Sequence, residues 1–531
     1  RRTSVMIDRY DALIIDRYDA LIIGAGHNGL VCAAYLAKAG RKVLVLERSD
    51  QAGGAAITRE FAPGFRVSAC AHILHMLQPG IVRDLKLEAH GLDLNGSAIE
   101  TISLAEGGNA LTIRRGGIEG PGVSEADKSA YVSFIKRMEG HAKALAPQLL
   151  KTPPRLANVG LGNTMKLAGM GWDIRFGLGK KQMRDFLRIA GMNIYDLLDE
   201  EFEGEALKGA LALDAVLGTA MEPRMPGTVL TYLYRLAGGL KGKATLPLGG
   251  MGSVTKALMV AASSFGAEIR LETAVERVIL EKSNAVGVAL AGGEEVRAGA
   301  VVSNADPRNT FLKLVGARNL EAGFAHRISN FRSSGRAAKV HFALKALPEF
   351  RGLNQDALGN RLIIAPSRRY LDHAFNHSKY GEFSGAPAME ITIPTISDPS
   401  MAPAGKHVLS AIVQYAPYDL KGGWDAGRKV FAERVVEVVS TYAPDFKDKI
   451  TALECLSPVD IESEFGMTGG HWHHGELALD QMFMMRPTYG TAQYRTPVDG
   501  LYLCGAGAHP GGGVMGAAGH NAAQVILKGD K

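Results

Sequence analysis

The sequence predicts an α/β fold: a first domain of alternating strands and helices that is interrupted by an inserted α+β domain. Three segments predict it. Residues 19–47 read as strand, glycine loop, helix and strand, and a second glycine-containing segment, Leu248–Gly252, precedes another helix and strand. Residues 500–528 read again as strand, glycine loop and helix. Because the same pattern recurs in three distant segments, we expect them to build one domain together.

Composition sets the class of protein. With 531 residues, the chain is too long for a single hydrophobic core, because one domain usually has about 150 residues. Its 46% hydrophobic and 21% charged residues exclude a mainly disordered chain. The 64 glycines show no three-residue period, which excludes collagen-like repeats and favours glycine-rich ligand loops. Four cysteines without a CxxC pattern argue against a disulfide framework, a zinc ribbon and a redox-active dithiol.

Charge and hydropathy limit the partners and the location. The formal net charge of +6 is small for this length, and no basic run interleaved with aromatic residues indicates nucleic-acid binding. No uncharged apolar stretch of about 18 residues predicts a membrane span. We therefore expect a cytoplasmic protein, with peripheral membrane contact as an open hypothesis.

Organisation along the chain follows from these patterns. The segment Ile-Asp-Arg-Tyr-Asp-Ala-Leu-Ile-Ile occurs at Ile7 and again at Ile15, and only the second copy leads into a glycine loop. We therefore interpret the first copy as an extension. The predicted divisions are an extension (1–15), a dinucleotide-binding domain in three parts (16–125, 241–310 and 491–531), a helical substrate domain (126–240) and a mixed substrate domain (311–490).

The first glycine loop carries a specific chemistry. Gly24, Gly26 and Gly29 form a GxGxxG pattern between a strand and a helix, and Glu47 ends the next strand. The first glycine permits a tight turn, the second lets backbone approach a pyrophosphate, and the third lets helix and strand pack closely. Glu47 would accept hydrogen bonds from the adenosine ribose hydroxyls. The pattern thus predicts a Rossmann-like domain for FAD or NAD.

Further segments distinguish these two cofactors. Gln51–Thr58 follows Glu47 closely, and Gly505-Ala-Gly-Ala-His-Pro-Gly-Gly-Gly513 precedes the last helix. Together with Pro247–Ser253 and Val302–Asp306, these segments resemble the FAD-dependent phytoene desaturase and amine oxidase superfamily. Within it, the likeness is to the phytoene-dehydrogenase-like group that includes pyridine nucleotide-disulfide oxidoreductase domain-containing protein 2. Since no CxxC exists, a dithiol mechanism is not expected.

The resemblance implies an FAD-binding domain with a fixed set of contacts. In the superfamily, the C-terminal glycine loop wraps the isoalloxazine ring and the following helix points its N-terminus at the ring. In the family, an arginine that helps to hold the cofactor follows a glycine pair that corresponds to Gly53-Gly54. Ala55 stands at that position here, so Arg48 or Arg59 would have to replace the missing arginine. The cofactor residues implied in this way are Gly53, Gly54, Val275 or Val278, Gly505, Gly507, Gly512, Gly513, Val514 and Met515.

Histidines supply the candidate catalytic side chains. His509 lies within the C-terminal glycine loop and is the candidate for a catalytic residue beside the flavin, although a packing role would also explain it. The run His471–His474 could ligate a metal, line a substrate cavity or cap a loop. It lacks partner ligands at metal spacing, so no metal is predicted. His72 and His75 are candidates for cavity lining.

A basic stretch between residues 151 and 190 motivates the membrane hypothesis. It has eight basic residues against Asp173 and Asp185, interleaved with Met165, Trp172 and other apolar side chains. The pattern is typical of a helix that lies on an anionic membrane surface, and equally of an ordinary solvated face.

The resemblance implies an FAD-dependent oxidoreductase that takes a hydride from a small apolar, isoprenoid or lipid-like substrate to flavin N5. No triad or carboxylate pair is recognisable in the sequence, so we expect little dependence on acid–base groups. Oxidation of an amine or alcohol is one alternative, and a non-catalytic flavoprotein that binds a partner protein is another. The electron acceptor, whether oxygen, a quinone or a nicotinamide, stays open.

Overall fold

The computed structural model describes residues 18–155 and 161–529, and the predicted extension 1–15 lies outside this part. The strands are β1 (Tyr18–Ile23), β2 (Val43–Leu46), β3 (Thr58–Ala62), β4 (Phe65–Ser68), β5 (Thr101–Ser103), β6 (Leu111–Arg114), β7 (Gly117–Glu119), β8 (Glu268–Arg270), β9 (Val275–Glu281), β10 (Asn284–Leu290), β11 (Glu295–Ser303), β12 (Ala337–Leu344), β13 (Arg361–Ile364), β14 (Ala388–Thr392), β15 (His407–Gln414), β16 (Ile450–Leu456) and β17 (Leu501–Leu503). The helices are α1 (His27–Lys38), α2 (Pro79–Asp84), α3 (Glu125–Leu149), α4 (Leu161–Ile189), α5 (Ile194–Glu201), α6 (Glu205–Val216), α7 (Thr228–Gly239), α8 (Met251–Ser264), α9 (Ala322–Ser329), α10 (Arg368–Lys379), α11 (Trp424–Tyr442), α12 (Phe446–Lys449), α13 (Pro458–Phe465) and α14 (Ala517–Gly529).

A seven-stranded sheet forms the core of the first domain. Its order is β8-β2-β1-β11-β10-β9, and β17 pairs with β11 beside the end of β10. β11 is parallel to both β1 and β17, so the two ends of the described chain meet on one strand. The sequence patterns predicted β1, β2 and β17 but not β11, which is the strand that joins β1 to β17.

Helix α1 and helix α14 cover this sheet together. β1 is almost wholly buried, as expected for a parallel strand with both faces covered. α1 is buried from Asn28 to Ala37. α14 lies against it so closely that a Cβ added at Gly519 would stand 2.0 Å from the carbonyl oxygen of Asn28. The third segment of the predicted domain is therefore packed directly on the first.

An eight-stranded sheet forms the second domain. Its order is β16-β12-β15-β14-β13-β5-β6-β7, and all neighbours are antiparallel except β13 and β5. Strands β5–β7 fall inside the segment 16–125 that we assigned to the dinucleotide domain, yet they pair into this second sheet. Helices α3 and α5–α7 share one hydrophobic cluster with residues of this sheet, including Ile363 and Ala388.

The basic stretch lies on and around α4. Met165, Trp172 and Leu187 are 69%, 65% and 66% exposed, and Lys180 and Lys181 are exposed as well. The side chains of Lys166, Met170, Asp173, Arg175 and Phe176 lie outside the described part. Within the described residues, no helix combines the length and the apolar character that crossing a bilayer requires.

Replacing Gly519 by alanine tests the contact between α1 and α14. In an open helix position, alanine is favoured over glycine by about 1 kcal/mol. Here the new Cβ would collide with the carbonyl of Asn28, and we expect a loss of about 1–3 kcal/mol in the free energy of unfolding. The matched control is Gly171→Ala on α4, where nothing lies within 4 Å of the added Cβ. Thermal unfolding followed by circular dichroism measures both, and equal midpoints in the two variants would contradict the contact.

Candidate functional site

One cavity of about 930 Å³ extends across both domains. This volume is near the upper end of the range for ligand pockets, about 300–1,000 Å³. From the first domain, the walls come from the glycine loop after β1, the segment after β2, the start of β9 and the end of β11. From the second domain, they come from residues 70–76 and from parts of α6, α7, β14 and β15. The cavity therefore connects the predicted cofactor segments with the predicted substrate domain.

The first glycine loop has the geometry that a pyrophosphate site needs. Gly24 has a φ of +93°, and its N–H donates to the carbonyl of Leu46 at 2.8 Å. A Cβ at Gly29 would stand 2.2 Å from the carbonyl oxygen of Gly24, so this glycine permits the close packing of helix and strand. Gly24 and Gly26 line the cavity, and a Cβ at Gly26 would stand 2.7 Å from Nδ2 of Asn304. The glycines keep this wall free of side chains.

Glu47 lies directly beside the glycine loop. Its carboxylate is buried and accepts hydrogen bonds from the N–H groups of Ala25, at 2.7 Å, and Ser49, at 3.0 Å. The carbonyl of Glu47 accepts from the N–H of Thr273 at 2.7 Å, which brings the start of β9 to the cavity. Val275 lines the cavity, whereas Val278 is buried in the hydrophobic core behind it. Of the two valines left open by the sequence, Val275 is the one on the wall.

The glycine pair Gly53-Gly54 is hydrogen-bonded to the first glycine loop. Gly53 donates its N–H to the carbonyl of Ala25 at 2.9 Å and has a φ of +134°. A Cβ at Gly53 would stand 2.7 Å from Oγ1 of Thr255. Gly54 has a φ of +59°, and a Cβ there would stand 3.5 Å from the Cα of Gly26. Both glycines line the cavity, so the two loops form a continuous surface of backbone.

Arg48 and Arg59 both line the cavity, and each is bound to the neighbouring segment of the second domain. Arg59 forms two hydrogen bonds with Glu454, at 3.0 and 2.9 Å, and an ion pair with Glu464 at 3.1 Å. Arg48 donates to the carbonyl of Glu464 at 2.8 Å. Both arginines thus hold α13 over this end of the cavity.

The C-terminal glycine loop forms the wall between the two halves of the cavity. Gly512, Gly513 and Val514 line it, and a Cβ at Gly512 would stand 2.4 Å from Nδ1 of His473. The hydroxyl of Tyr234 donates to the carbonyl of Gly512 at 2.7 Å. The remaining predicted residues of the loop, Gly505, Gly507 and Met515, lie behind the wall.

Packing explains those three residues. A Cβ added at Gly505 would stand 2.5 Å from the carbonyl oxygen of Asn304, and one added at Gly507 would stand 2.4 Å from the ring of Pro307. The carbonyl of Met515 accepts from the N–H of Gln78 at 3.3 Å. Their contacts are with protein groups, and they fix the path of the loop.

His509 does not line the cavity. Its ring is buried, and Nε2 donates to the carbonyl of Gln148 at 2.9 Å on the side of the loop away from the cavity residues. Burial lowers its pKa to about 4. His509 therefore has no contact with the cavity, and this geometry does not support its predicted catalytic role.

The run His471–His474 contributes wall residues. Trp472, His473 and His474 line the cavity, and His471 is buried beneath them. Burial lowers the pKa of His473 well below its usual value and that of His474 to about 4, so both rings are neutral at pH 7. In the described part of the chain, no group of three or more histidine, cysteine or acidic side chains has the arrangement of a metal site.

Arg486 shapes this run and was not singled out from the sequence. Its side chain is fully buried and donates to the carbonyls of His473 at 2.5 Å, Glu476 at 2.9 Å and Ala506 at 2.9 Å. Because Ala506 belongs to the C-terminal glycine loop, one guanidinium fixes two walls of the cavity relative to each other.

A buried polar network forms the floor of the cavity in the second domain. His72 donates from Nε2 to Oε1 of Glu390 at 2.9 Å, and its Nδ1 accepts from Nζ of Lys339 at 2.7 Å and from Oγ1 of Thr392 at 3.0 Å. Burial and the charge of Lys339 lower the pKa of His72 to about 4. Burial lowers the pKa of Lys339 to about 7. Both ring nitrogens of His72 are therefore engaged within the protein.

The network continues through Arg361. Its Nε donates to Oε2 of Glu390, and its Nη2 donates to Oδ1 of Asp214 at 2.6 Å. Burial alone would raise the pKa of Glu390, but Arg361 and His72 hold it well below its usual value. Two carboxylates thus meet at one guanidinium, although the sequence showed no recognisable carboxylate pair.

A signal for this network was present in the sequence. Lys339 is the one charged residue of the buried strand β12, which also contains His341, and Glu390 is the one charged residue of the buried strand β14, which also contains Thr392. A charged residue inside a buried strand requires a partner, so two such residues in neighbouring runs point to a buried pair.

Comparison with known proteins places the chain. The flavin containing amine oxidoreductase family matches residues 29–527. Pyridine nucleotide-disulfide oxidoreductase domain-containing protein 2 of Rattus norvegicus is 37% identical over 98% of this chain and 93% of its own. A limonene dehydrogenase subunit of Castellaniella defragrans is 29% identical over 95% of this chain and 94% of its own.

A solved structure supports the same fold. Wild-type putrescine oxidase bound to putrescine superposes with a TM-score of 0.61, at 18% identity, over 96% of this chain and 98% of that chain. The resemblance, the α/β fold and the FAD cofactor expected from the sequence are therefore confirmed. The chain belongs to the flavin containing amine oxidoreductase family and is an FAD-dependent oxidoreductase.

Proposed function

We propose that the protein removes a hydride from an apolar, isoprenoid or lipid-like substrate. The observation that carries this proposal is a continuous cavity, which leads from the glycine loops to a chamber with many apolar side chains in the second domain. The chain is also similar to a protein named as a subunit of limonene dehydrogenase. The apolar lining residues of that chamber are Ile73, Met76, Leu217, Ile412, Trp472 and Leu477.

FAD, when bound, supplies the hydride acceptor at N5 of its flavin ring. We assign its dinucleotide portion to the loops of Gly24, Gly26, Gly53 and Gly54, where backbone can approach phosphate without a Cβ in the way. Glu47 receives the ribose hydroxyls. Each of its oxygens accepts one backbone N–H, and a carboxylate oxygen has capacity for a further bond.

The chain's own contribution to the reaction is positioning and the exclusion of water. Gly512, Gly513 and Val514 form the wall at which the cofactor half and the substrate half of the cavity meet. His72 lines the substrate half, but both its nitrogens are engaged within the protein, so it is not free to take a proton from a ligand. Loss of a hydride from an activated C–H leaves a cation on the substrate, and the product forms when a proton then leaves the neighbouring carbon. With His72 engaged, that proton is released to solvent.

Oxidation of an alcohol or amine is the second candidate. The observation that favours it is Lys339, whose pKa of about 7 would let the Lys339–His72 pair release or take up a proton near neutral pH. Lys339 does not line the cavity, so a substrate proton would reach it only if His72, which does, first gave up its hydrogen bond to Glu390 or to Lys339.

Anaerobic mixing of the FAD-loaded protein with candidate substrates separates the two reactions. We expect isoprenoid substrates to bleach the flavin absorbance band, and amines of similar size to leave it unchanged. Bleaching by amines or simple alcohols alone would favour the second candidate. If no class bleaches the band, the hydride-transfer proposal is wrong. Oxygen, a quinone and a nicotinamide are then added separately to the bleached protein, and the one that restores the band identifies the acceptor.

Replacing Glu47 by alanine tests its role toward the ribose. We expect FAD affinity to fall roughly 10- to 100-fold, because a charged hydrogen-bond acceptor is removed from the ribose hydroxyls. The matched control is Glu276→Ala, an exposed residue of β9 next to Val275. Fluorescence titration of the apoproteins with FAD measures both, and equal affinities would remove Glu47 from the site.

We also propose that α4 contacts an anionic membrane surface. α4 is kinked at Gly179: exposed Met165 and Trp172 lie before the kink, and exposed Lys180, Lys181 and Leu187 lie after it. Exposed apolar and basic side chains on adjoining helical segments are typical of an interfacial surface.

Co-sedimentation with vesicles measures this contact. We expect binding to anionic vesicles at low salt, little binding to neutral vesicles, and a clear loss in the double variant Lys180→Glu, Lys181→Glu. Absence of binding to anionic vesicles at low salt would contradict the proposal.

A further inference from the structure

Arg235 is the cation in the cavity floor that retains hydrogen-bonding capacity. It lies on α7, lines the cavity, and its side chain is 25% exposed. Among the described residues, its closest carboxylate oxygens are Oδ1 of Asp214 and Oε2 of Glu390, each at 3.7 Å, beyond hydrogen-bond distance. Both oxygens already accept from Arg361. The guanidinium of Arg235 therefore presents donors to the cavity.

The charge around Arg235 does not oppose an added anion. Asp214 and Glu390 carry two negative charges, and Arg361 and Arg235 carry two positive charges. The pKa of Lys339, about 7, adds a partial positive charge at neutral pH. With Arg235 included, these two acidic and two basic side chains sum to zero, so a ligand carboxylate would be held by the hydrogen bonds that Arg235 donates and not by a net positive charge.

His75 is a second unsatisfied group beside this arginine. It lines the cavity, and neither of its ring nitrogens makes a hydrogen bond of normal length and angle, although the backbone of Ile73 lies close enough to favour the charged ring. Burial, and then the charge of Arg235, lower its pKa to about 3, so the ring is neutral. A neutral imidazole offers one donor and one acceptor. A ligand that is hydrocarbon throughout would leave both His75 and Arg235 without partners in a buried site, which is unfavourable.

We infer that Arg235 and His75 form a subsite for the carboxylate at one end of an otherwise apolar substrate. The planar fork of a guanidinium matches the two oxygens of a carboxylate, and the N–H of His75 completes the set. Apolar residues of the chamber, such as Leu217 and Ile412, would contact the hydrocarbon body. This inference rests on the proposed function and narrows its substrates to isoprenoid or long-chain acids.

Binding of a matched pair of probes tests the subsite. Geranic acid and its methyl ester have the same isoprenoid body, and the ester lacks the charge. We expect the FAD-loaded full-length protein to bind the acid roughly 10-fold or more tightly than the ester in isothermal titration calorimetry. In Arg235→Gln, affinity for the acid should fall by a similar factor while affinity for the ester changes by about twofold at most. Arg235→Lys keeps the charge without the fork and should lie between them.

The matched control is Arg224→Gln, because Arg224 pairs with Asp372 and does not line the cavity. It should leave binding of both probes unchanged. Equal affinities for acid and ester in the unmodified protein would overturn the subsite. Loss of FAD from Arg235→Gln would also overturn it, because the arginine would then hold the cofactor.

Binding and flavin reduction are measured separately, so the two proposals fail in different ways. Arg235-dependent binding of the acid without bleaching would support the subsite and contradict hydride transfer from this class. Bleaching by isoprenoids without any preference for the acid would support hydride transfer and contradict the subsite.

Discussion

The pairing of β11 with both β1 and β17 is the constraint on which the rest of the site depends. Val301, Val302 and Ser303 are hydrogen-bonded to β1 on one side and to β17 on the other. Because these strands are parallel, their carboxyl ends meet at one edge of the sheet. The first glycine loop follows β1 and the C-terminal glycine loop follows β17, so both open on that edge. The shared register of three strands thus brings segments almost 500 residues apart to one cofactor.

Local patterns predicted the elements that interact locally. The strand, glycine loop and helix around Gly24 could be predicted because each element has a strong local sequence preference: an apolar run for the strand, glycines for the tight turn and helix-forming residues for the helix. β11 was missed because its alternation of charged and apolar residues, Glu295–Ala298, is short and ends at Gly299, a residue that weakens a strand pattern. Its place at the centre of the sheet comes from pairing with β1 and β17, which no local pattern encodes. Strands β5–β7, of three and four residues, were likewise assigned to the wrong side of a boundary because their partner β13 is distant in sequence.

The residues of the site divide in the same way, into those that a local sequence motif predicts and those that only tertiary packing brings together. Gly24, Gly26 and Glu47 could be predicted from the spacing of the strand, the glycine loop and the next strand, whereas Gly53, Gly54 and the C-terminal glycines were implied by the family resemblance. His509 stood in such a motif too, but a loop of nine residues has two sides, and spacing does not reveal which side faces a ligand. The floor of the cavity was beyond prediction, because His72, Glu390, Arg361 and Asp214 come from four separate segments and meet only through tertiary packing. Lys339 and Glu390 were visible as charges within strands, but their partners were not.

The late position of β17 and α14 has a consequence for how the holoprotein arises. α1 is largely buried and one of its faces lies against α14, which contributes residues up to Gly529. Until the ribosome has made these residues, the sheet lacks β17, the wall of Gly512–Val514 does not exist, and apolar side chains of α1 have no cover. We therefore expect a nascent chain to acquire the flavin only after the whole dinucleotide domain has been synthesised, and chaperones to meet an uncovered α1 until then.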